Sequence, residues 1–583
     1  MANKRKGGDV IAEMLFLEGV DRVFGIIDGT YFGFYSSLNK YGIELISPRH
    51  ETSAAHMAGA YYRLSGKLGV CMASNGPGVA NILPGLVVEE AEGNRVLVIT
   101  SFRRQGIVNP VRLGTYQYFN QSETIKQFAK VSYLVTSPQR IPEIMRMALR
   151  KCYEGRPGVV HIDVPEDIMN GEYEISFQPL KPENYRATTI PYPEQNAVIK
   201  TIELLKKSKY PIIHFGSGII HAKAQNELKE ILSFLKIPVT YSWGARTVLL
   251  ENLDYLIPMT NISLNHFIHR KADLAIVLGS RLGETDWWGR APYWNQKDLK
   301  VIQVDIESEI IGSSRNIYLG IISDVKAYLE SLLHYLKKDT FNFNFKWNEF
   351  NEKIKKLNLL SKEKLSKIAN QKTKLVHPAQ LILACNKYFP DNTTYVIDGG
   401  NTAVWSQFYL DIKQENSMIS TYKFGMLGAG VSQAIGASYA KENDVIVCLI
   451  GDGAMGFHPQ EIETAVRNKR KIIYIVFCDK QWGMVKINQS FALRPLKTLL
   501  FKHLSPEENI NTDFGDIDFA KLAESMGAKG FRINQLDNIK EIIEECLNFS
   551  HCSVIHVDVD PVKHMWAPGL IDFKKMHLEP SGK

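Results

Sequence analysis

The chain has 583 residues, which is enough for roughly three domains of about 150 residues each. Hydrophobic residues make up 45% of the sequence and charged residues 22%, proportions that are typical of a soluble globular protein. The net charge of +7 is small for this length and is not concentrated in a basic block, so no nucleic-acid partner is expected. No run of about 18 apolar residues occurs, which argues against a membrane span.

The cysteines and the N-terminus indicate the cellular compartment in which the protein is expected. The seven cysteines are scattered and odd in number, and they form no CxxC pair or metal-binding spacing. We therefore expect reduced thiols and a cytoplasmic protein. The basic N-terminus turns amphipathic rather than continuously apolar, so a secretory signal is not expected.

Apolar, β-rich runs alternate with helical patterns along the chain, in three blocks separated by polar connectors. The first block spans residues 1–178, the second 194–340 and the third 375–563, and a polar tail follows at 564–583. Strands that alternate with helices are typical of parallel sheets covered on both faces. We therefore predict an α/β protein with three doubly wound parallel-sheet domains.

The most informative segment lies in the third block, where Gly451-Asp452-Gly453 directly follows an apolar, β-rich run. A helical pattern comes next, and a second apolar run at 472–477 leads to Asp479. Two consecutive parallel strands place Asp452 and Asp479 at neighbouring carboxyl ends, the edge at which open α/β sheets bind ligands. Two carboxylates beside a glycine turn and a helix N-terminus suit Mg²⁺ bridged to a pyrophosphate.

This unit resembles the cofactor motif of thiamine-diphosphate-dependent enzymes, which usually ends in paired asparagines. Here Cys478-Asp479 stands at that pair, which keeps an oxygen ligand and adds a negative charge. The resemblance implies that Asp452, Asp479 and the backbone carbonyl of Gln481 hold Mg²⁺. It also assigns to cofactor binding the neighbouring residues Gly451, Gly453, Ala454, Met455 and Met484.

The first block carries a second part of the resemblance. Arg49-His50-Glu51, followed by a helical pattern, is similar to the strand end that precedes the catalytic glutamate of these enzymes. Glu51 would then hydrogen-bond N1′ of the aminopyrimidine and favour the tautomer that removes the C2 proton of the thiazolium. Taken alone, this pattern is more typical of a first-turn glutamate stabilised by the helix dipole. Its occurrence together with the Asp452–Asp479 unit favours the catalytic role.

Two further segments of the third block resemble the acetolactate-synthase-like branch of the family. Asn401 and Thr402, in the run that begins at Asp398, would contribute to diphosphate binding. In the later glycine-rich run, the carbonyl of Gly425 would accept a hydrogen bond from the 4′-amino group. Leu427 would press the two cofactor rings into a bent shape.

The same branch implies roles for loops of the first block. Gly29 lies where a loop approaches the thiazolium from the opposite subunit, and Asn81 belongs to a loop at the same interface. Gln117 would hydrogen-bond the substrate carbonyl, and Lys130 matches a lysine of the substrate pocket. Asp28 is either an acid/base group or an ordinary turn residue.

The resemblance implies an enzyme that cleaves and forms C–C bonds on a 2-oxo acid donor such as pyruvate, by decarboxylation and carboligation as in acetolactate synthase. In this branch Glu51 and Asp452 lie in different subunits at each site. A homodimer, or a tetramer built from dimers, is therefore expected, with the active sites at the subunit interface.

The acceptor substrate stays open. Asn488 stands where acetolactate synthases carry a tryptophan that shapes the acceptor pocket, and the run around it resembles sulfoacetaldehyde acetyltransferase. Residues 116–121 also align with 2-hydroxyacyl-CoA lyases and oxalyl-CoA decarboxylases. A further hypothesis is an inactive homologue that binds the cofactor and serves a regulatory role.

The ligand of the second block is open as well. This domain carries FAD in acetolactate synthases and an ADP or CoA moiety in some relatives. The predicted strand ends at 279–282 and 304–307 are compatible with either ligand. The insert at 286–290 would close part of the same groove.

Overall fold

The structure is a computed structural model that describes residues 4–176, 178–338 and 341–576. Parts of three predicted segments therefore lie outside the described residues, namely 1–3 and 177 of the first block, 339–340 of the second and 577–583 of the tail. Among the helices that are described, none is both long and apolar enough to cross a membrane.

The first block is built on a six-stranded sheet. Its strands are β2 (Arg22–Gly25), β3 (Glu44–Ile46), β4 (Gly69–Ala73), β5 (Val96–Phe102), β6 (Val131–Leu134) and β7 (Val159–Pro165), while β1 (Lys4–Lys6) and β8 (Glu172–Glu174) form a separate antiparallel ribbon. The helices are α1 (Gly7–Leu17), α2 (Phe32–Leu38), α3 (Glu51–Ser65), α4 (Pro77–Glu92), α5 (Gln105–Val108), α6 (Gln121–Lys126), α7 (Ile141–Tyr153) and α8 (Glu166–Asn170). The sheet order is β3-β2-β4-β5-β7-β6, and every pair is parallel.

The second block contains a five-stranded parallel sheet of order β10-β9-β11-β12-β13. Its strands are β9 (Pro211–Phe215), β10 (Val239–Tyr241), β11 (Leu274–Leu278), β12 (Lys300–Asp305) and β13 (Leu319–Ile322). The helices are α9 (Gln195–Lys207), α10 (Gly218–Ala222), α11 (Gln225–Leu235), α12 (Ile262–Lys271) and α13 (Val325–Lys338), and α14 (Asn351–Ala369) leads to the third block.

The third block repeats the architecture of the first, with the sheet order β15-β14-β16-β17-β19-β18, all parallel. Its strands are β14 (Thr393–Asp398), β15 (Met418–Ile419), β16 (Val445–Gly451), β17 (Ile472–Cys478), β18 (Lys529–Ile533) and β19 (Ser553–Asp558). The helices are α15 (Pro378–Tyr388), α16 (Gly400–Tyr409), α17 (Ala429–Ala440), α18 (Asp452–Met455), α19 (Glu461–Arg467), α20 (Gly483–Leu493), α21 (Pro495–Phe501), α22 (Phe519–Ser525), α23 (Ile539–Asn548), α24 (Pro561–Met565) and α25 (Leu570–Met576).

These three parallel sheets with flanking helices confirm the predicted α/β fold. The central strands are buried along their whole length, as in β17, because helices cover both faces of a parallel sheet. This burial explains why they read in the sequence as continuous apolar runs rather than as alternating patterns.

The first and third domains share one apolar core. Helix α3 packs against α17, where a Cβ on Gly436 would overlap the backbone carbonyl of Met57. Glycine thus allows the two helices to approach closely. The core residues at this contact come from both domains, including Phe24 and Ala54 on one side and Ile435 on the other. The relative position of the two domains is therefore set by packing within one chain.

The C-terminal segment differs from its prediction as a polar tail. Helix α24 crosses the predicted boundary at residue 564, and α25 follows it. Met565 and Leu570 pack with Ile487 of α20 in a small apolar cluster. Up to residue 576, the segment therefore packs against the third domain.

Candidate active site

The carboxyl ends of β16 and β17 lie side by side, as predicted from their order in the chain. Asp452 follows β16, and its carboxylate accepts hydrogen bonds from the N–H of Gly453 at 2.7 Å and the N–H of Lys480 at 2.6 Å. The second donor lies in the turn after β17, so the Asp452 side chain links the two strand ends. This arrangement brings it beside Asp479.

The two carboxylates share a poorly solvated site, with exposed fractions of 9% for Asp452 and 8% for Asp479. Burial and, to a lesser degree, the negative charge of Asp479 raise the pKa of Asp452 to about 7. Two like charges at such a site are unfavourable unless a cation neutralises them. Carboxylate oxygens are the ligands that Mg²⁺ and Ca²⁺ prefer. The pair therefore fits a divalent cation.

Gln481 stands next to this pair. Its backbone carbonyl accepts a hydrogen bond from the N–H of Gly483 at 2.9 Å, which leaves a second lone pair for a cation. Its side-chain Nε2 donates to Oδ2 of Asp479 at 3.1 Å and to the carbonyl of Pro561 at 2.9 Å. The side chain therefore holds the Asp479 carboxylate in place, a role that the sequence did not predict.

His564 is the main residue of this site that is missing from the predicted set. Its Nδ1 lies 2.7 Å from Oδ2 of Asp479, and its Nε2 lies 3.1 Å from Oγ1 of Thr402. The ring is buried and reaches the site from α24, directly after β19. The sequence contains one indication of this role, namely that His564 comes shortly after β19, which neighbours β17. The polar residues near His564 in the sequence obscured that indication.

Asn401 and Thr402 lie in the first turn of α16, beside the Gly451 turn. A Cβ on Gly451 would lie 3.2 Å from Oγ1 of Thr402, and a Cβ on Gly483 would overlap the amide of Asn401. Oδ1 of Asn401 is buried and has no hydrogen-bond partner. A helix N-terminus lined by glycines fits a phosphate group. The unsatisfied Oδ1 of Asn401 is an acceptor, so it fits a cation or a hydrogen-bond donor of a ligand.

The other residues that the resemblance assigns to cofactor binding near Gly451 differ in burial and in the side chains that they contact. Ala454 and Met455 are buried in the core shared by the first and third domains. Gly453 lies close to the Trp482 ring, since a Cβ there would be 2.9 Å from Cζ3 of that ring. Met484 packs toward Gly400 at the start of α16. Their roles toward a cofactor stay predictions.

The loop that carries Gly425 is held by the first domain. Oε1 of Glu92, at the end of α4, accepts hydrogen bonds from the N–H groups of Lys423 and Phe424, each at 2.9 Å. Gly425 is exposed with φ +69°, so its carbonyl is free to face a ligand. Leu427 is half-buried against the shared core.

Glu51 is the first residue of α3, as predicted. Its Oε2 accepts a hydrogen bond from Nδ2 of Asn81 at 3.1 Å. The first turn of α4 runs close to it, since a Cβ on Gly78 would lie 3.5 Å from Oε1 of Glu51. The structure thus brings together two residues that the sequence placed in separate motifs.

The loops of Gly29 and Gln117 converge on the same edge of the first sheet. Thr30, next to Gly29, hydrogen-bonds Ser101, whose Oγ in turn accepts from the N–H of Asn75 at 2.9 Å. Nδ2 of Asn75 donates to the carbonyl of Gln117 at 3.0 Å. Gln117 is exposed and has a φ of +52°, an uncommon value for a residue with a side chain.

Asp28 caps the short helix that follows it. Its Oδ1 accepts hydrogen bonds from the N–H of Thr30 at 2.8 Å and from Oγ1 of the same residue at 2.6 Å. This geometry supports the turn-residue interpretation.

Lys130 lies apart from this group. It directly precedes β6, at the amino ends of the strands, whereas Asn75 and Gln117 lie at the carboxyl ends. Its Nζ donates to the backbone carbonyls of Glu154 and Arg156. Within one chain the structure does not bring Lys130 to Gln117, because the two residues lie at opposite ends of the strands of the first sheet.

A cavity of about 750 Å³ lies where the three domains meet. The residues that line it include Arg281 and Asp305 from the predicted strand ends of the second domain. Arg63 of the first domain and Trp288 of the insert also line it. Burial lowers the pKa of Arg63 and Arg281, and it lowers the pKa of Lys423 at the same cavity to about 8. These cationic side chains, of which those of Arg63 and Arg281 are partly buried, fit a phosphate-bearing ligand.

Fold and site together suit a ligand that carries a diphosphate. Comparison with known families matches the N-terminal TPP binding domain of thiamine pyrophosphate enzymes at residues 5–127, the central domain at 198–332 and the C-terminal TPP binding domain at 398–557. These matches support binding of thiamine pyrophosphate, the same compound as thiamine diphosphate.

Individual relatives extend over nearly the whole chain. An acetolactate synthase large subunit of Cyanidium caldarium is 30% identical over 565 residues, 93% of this chain and 91% of the relative. A probable acetolactate synthase large subunit of Methanococcus aeolicus is 27% identical over 575 residues, covering 95% and 92%. An acetolactate synthase of Bacillus subtilis is 27% identical over 569 residues, covering 96% and 94%. The chain belongs to the thiamine pyrophosphate enzyme family and is acetolactate-synthase-like.

The cation site yields a direct prediction for Asp452→Asn. This change removes one of the two negative charges, so we expect Mg²⁺ to bind at least about tenfold more weakly and the cofactor to be retained poorly. Isothermal titration of the apoprotein with Mg²⁺ in the presence of thiamine diphosphate measures this. Asp537→Asn, an exposed acidic residue of the same domain, is the control. An unchanged Mg²⁺ dependence would contradict the metal role.

Proposed function

We propose that this protein is a thiamine-diphosphate- and Mg²⁺-dependent enzyme that decarboxylates a 2-oxo acid such as pyruvate and joins the remaining unit to a second carbonyl compound. The buried Asp452–Asp479 pair carries the cofactor part of the proposal, because it fits a divalent cation at a phosphate-binding edge. Similarity to acetolactate synthase large subunits over more than nine-tenths of the chain supports the reaction class.

In this proposal thiamine diphosphate supplies a nucleophilic carbon and an electron sink for C–C cleavage. Asp452, Asp479 and the carbonyl of Gln481 hold Mg²⁺. Asn401 and Thr402 bind the diphosphate from the first turn of α16, where the helix N-terminus favours an anion.

The first domain supplies the residues that act on the other end of the cofactor. Glu51 accepts from Asn81 through Oε2, so Oε1 is left to exchange a proton with the aminopyrimidine. Gly29 and Gln117 lie on the rim of the same loop cluster, where Gln117 orients the substrate carbonyl. The Gly425 carbonyl and Leu427 set the position of the rings from the third domain.

Completion of the site requires a second copy of the chain. Among the described residues, no hydrogen bond or ion pair joins Glu51 to Asp452 or Asp479. Large apolar side chains are exposed beside both halves, including Ile27 at 54% and Phe457 at 48%. Exposed apolar groups near a half-complete site support a homodimer whose active sites lie at the interface, alone or within a tetramer.

The interdomain cavity is proposed to hold a nucleotide-like ligand, either FAD or the ADP moiety of another cofactor. The cationic side chains of Arg63, Arg281 and Lys423, which line this cavity, support a phosphate-bearing group there. Trp288 offers an aromatic surface on which a ring can stack.

A second candidate is a lyase that acts on a 2-hydroxyacyl-CoA or oxalyl-CoA. Asn488 lies exposed on α20, where acetolactate synthases are expected to carry a tryptophan, so the acceptor pocket differs there. The cavity could then hold the nucleotide end of CoA. A sulfoacetaldehyde acetyltransferase-like activity and an inactive regulatory homologue are the remaining alternatives.

Glu51→Gln tests the catalytic assignment. We expect the variant to bind thiamine diphosphate but to lose about 10²- to 10⁴-fold in turnover, the usual contribution of a general acid–base group. Circular dichroism of the bound cofactor and a steady-state assay measure the two properties separately. Glu172→Gln, at an exposed position of β8, serves as control. Near-wild-type turnover of Glu51→Gln would refute the role.

A substrate comparison tests the reaction class. Purified protein with Mg²⁺ and thiamine diphosphate is assayed with pyruvate, with sulfoacetaldehyde plus phosphate, and with a 2-hydroxyacyl-CoA, each with and without FAD. We expect CO₂ release and a carboligation product from pyruvate. Turnover of the acyl-CoA or of sulfoacetaldehyde alone would favour the corresponding alternative. Bound cofactor without turnover of any substrate would favour the regulatory homologue.

A further inference from the structure

His564 occupies a position between two parts of the cofactor site. Its ring is 3% exposed and lies parallel to Phe477 at a centroid distance of 5.9 Å. Nε1 of Trp405 donates to the backbone carbonyl of His564 at 2.9 Å, which fixes the backbone as well. Both ring nitrogens then contact side chains of the site, Asp479 through Nδ1 and Thr402 through Nε2.

The chemistry of these contacts determines what the ring does. The carboxylate of Asp479 only accepts hydrogen bonds, so Nδ1 of His564 donates to it. Oδ2 of Asp479 receives this bond together with the one from Nε2 of Gln481. Because both donors use the same oxygen, Oδ1 is left for a cation.

This contact is relevant to the unusual residue at position 479. The cofactor motif that the sequence resembles has an asparagine there, and an amide brings its own donor, whereas a carboxylate needs donors from its surroundings. In this chain His564 and Gln481 supply them. His564 also connects the carboxylate to Thr402, which lies in the first turn of α16.

We propose that His564 is a positioning residue of the cofactor site. It orients the Asp479 carboxylate toward the cation through Nδ1, and through Nε2 it fixes the side chain of Thr402 in the first turn of α16, where the diphosphate is expected. This inference rests on the proposed function, since it concerns the same cation and diphosphate. It assigns a functional role to a C-terminal helix that the sequence indicated only as a polar tail.

The experiment measures cofactor affinity without any substrate. Apoprotein is titrated with Mg²⁺ at saturating thiamine diphosphate, and with thiamine diphosphate at saturating Mg²⁺. For His564→Ala we expect both dissociation constants to rise about 10- to 100-fold, the usual effect of removing a partner that orients a metal ligand. His564→Asn places an amide N–H near the position of Nδ1, so it should keep most of the Mg²⁺ affinity and weaken thiamine diphosphate binding.

A second comparison separates positioning from general stability. In an Asp479→Asn background, loss of His564 should cost clearly less Mg²⁺ affinity, because the amide does not need the same donor. The control is His269→Ala, a histidine buried in the central domain, whose Nε2 lies 2.9 Å from Oγ1 of Thr240. That variant should lower thermal stability and leave both dissociation constants unchanged.

The outcomes are distinguishable. If the wild-type protein binds no thiamine diphosphate, the proposed function itself fails. If it binds the cofactor and His564→Ala leaves both constants within twofold, only the role of His564 is overturned. Equal weakening by His564→Ala and His269→Ala would also overturn it, since the effect would then be one of stability.

Discussion

Two carboxylates buried at the carboxyl ends of adjacent parallel strands are the constraint on which the site depends. Asp452 and Asp479 reach this position because β16 and β17 are neighbours in register, with Gly451 opposite Phe477. Burial and the negative charge of Asp479 raise the pKa of Asp452, so a cation at this site would stabilise its charged form. Backbone N–H donors on Asp452 and side-chain donors on Asp479 orient both groups in advance.

Packing between the domains fixes the position of Asp452 and Asp479 relative to the first domain. Packing of α3 on α17 joins the first and third sheets through one core, and Glu92 ties the loop before Gly425 to the first domain. The same loop borders the interdomain cavity through Lys423. The loop before Gly425 is therefore physically connected to the cavity, and a ligand bound there would contact this loop at Lys423.

Much of this architecture could be predicted from the sequence. The predicted strands at 445–450 and 472–477 correspond to Val445–Gly451 and Ile472–Cys478, because fully buried parallel strands read as continuous apolar runs. Glu51 was predicted in the first turn of a helix and is the first residue of α3. These features are local, and turn glycines mark their ends.

Other features depend on tertiary contacts that leave no local pattern. His564 reaches the site only because α24 folds back after β19, and the polar composition of the C-terminal segment hides that path. The hydrogen bond between Asn81 and Glu51 joins two motifs through the close packing of α3 and α4. The direction of the Lys130 side chain is set by its hydrogen bonds to backbone carbonyls of a loop that is distant in the sequence. A motif match cannot indicate such contacts.

The central claim is that each active site combines Glu51 of one copy with the Asp452–Asp479 pair of another. Co-expression of Glu51→Gln and Asp452→Asn chains with different tags allows the mixed dimer to be purified. In that dimer one site carries both changes and the other carries neither, so we expect about half of the wild-type activity per dimer, although each parent is inactive. A folded mixed dimer with no more activity than its parents would contradict the account.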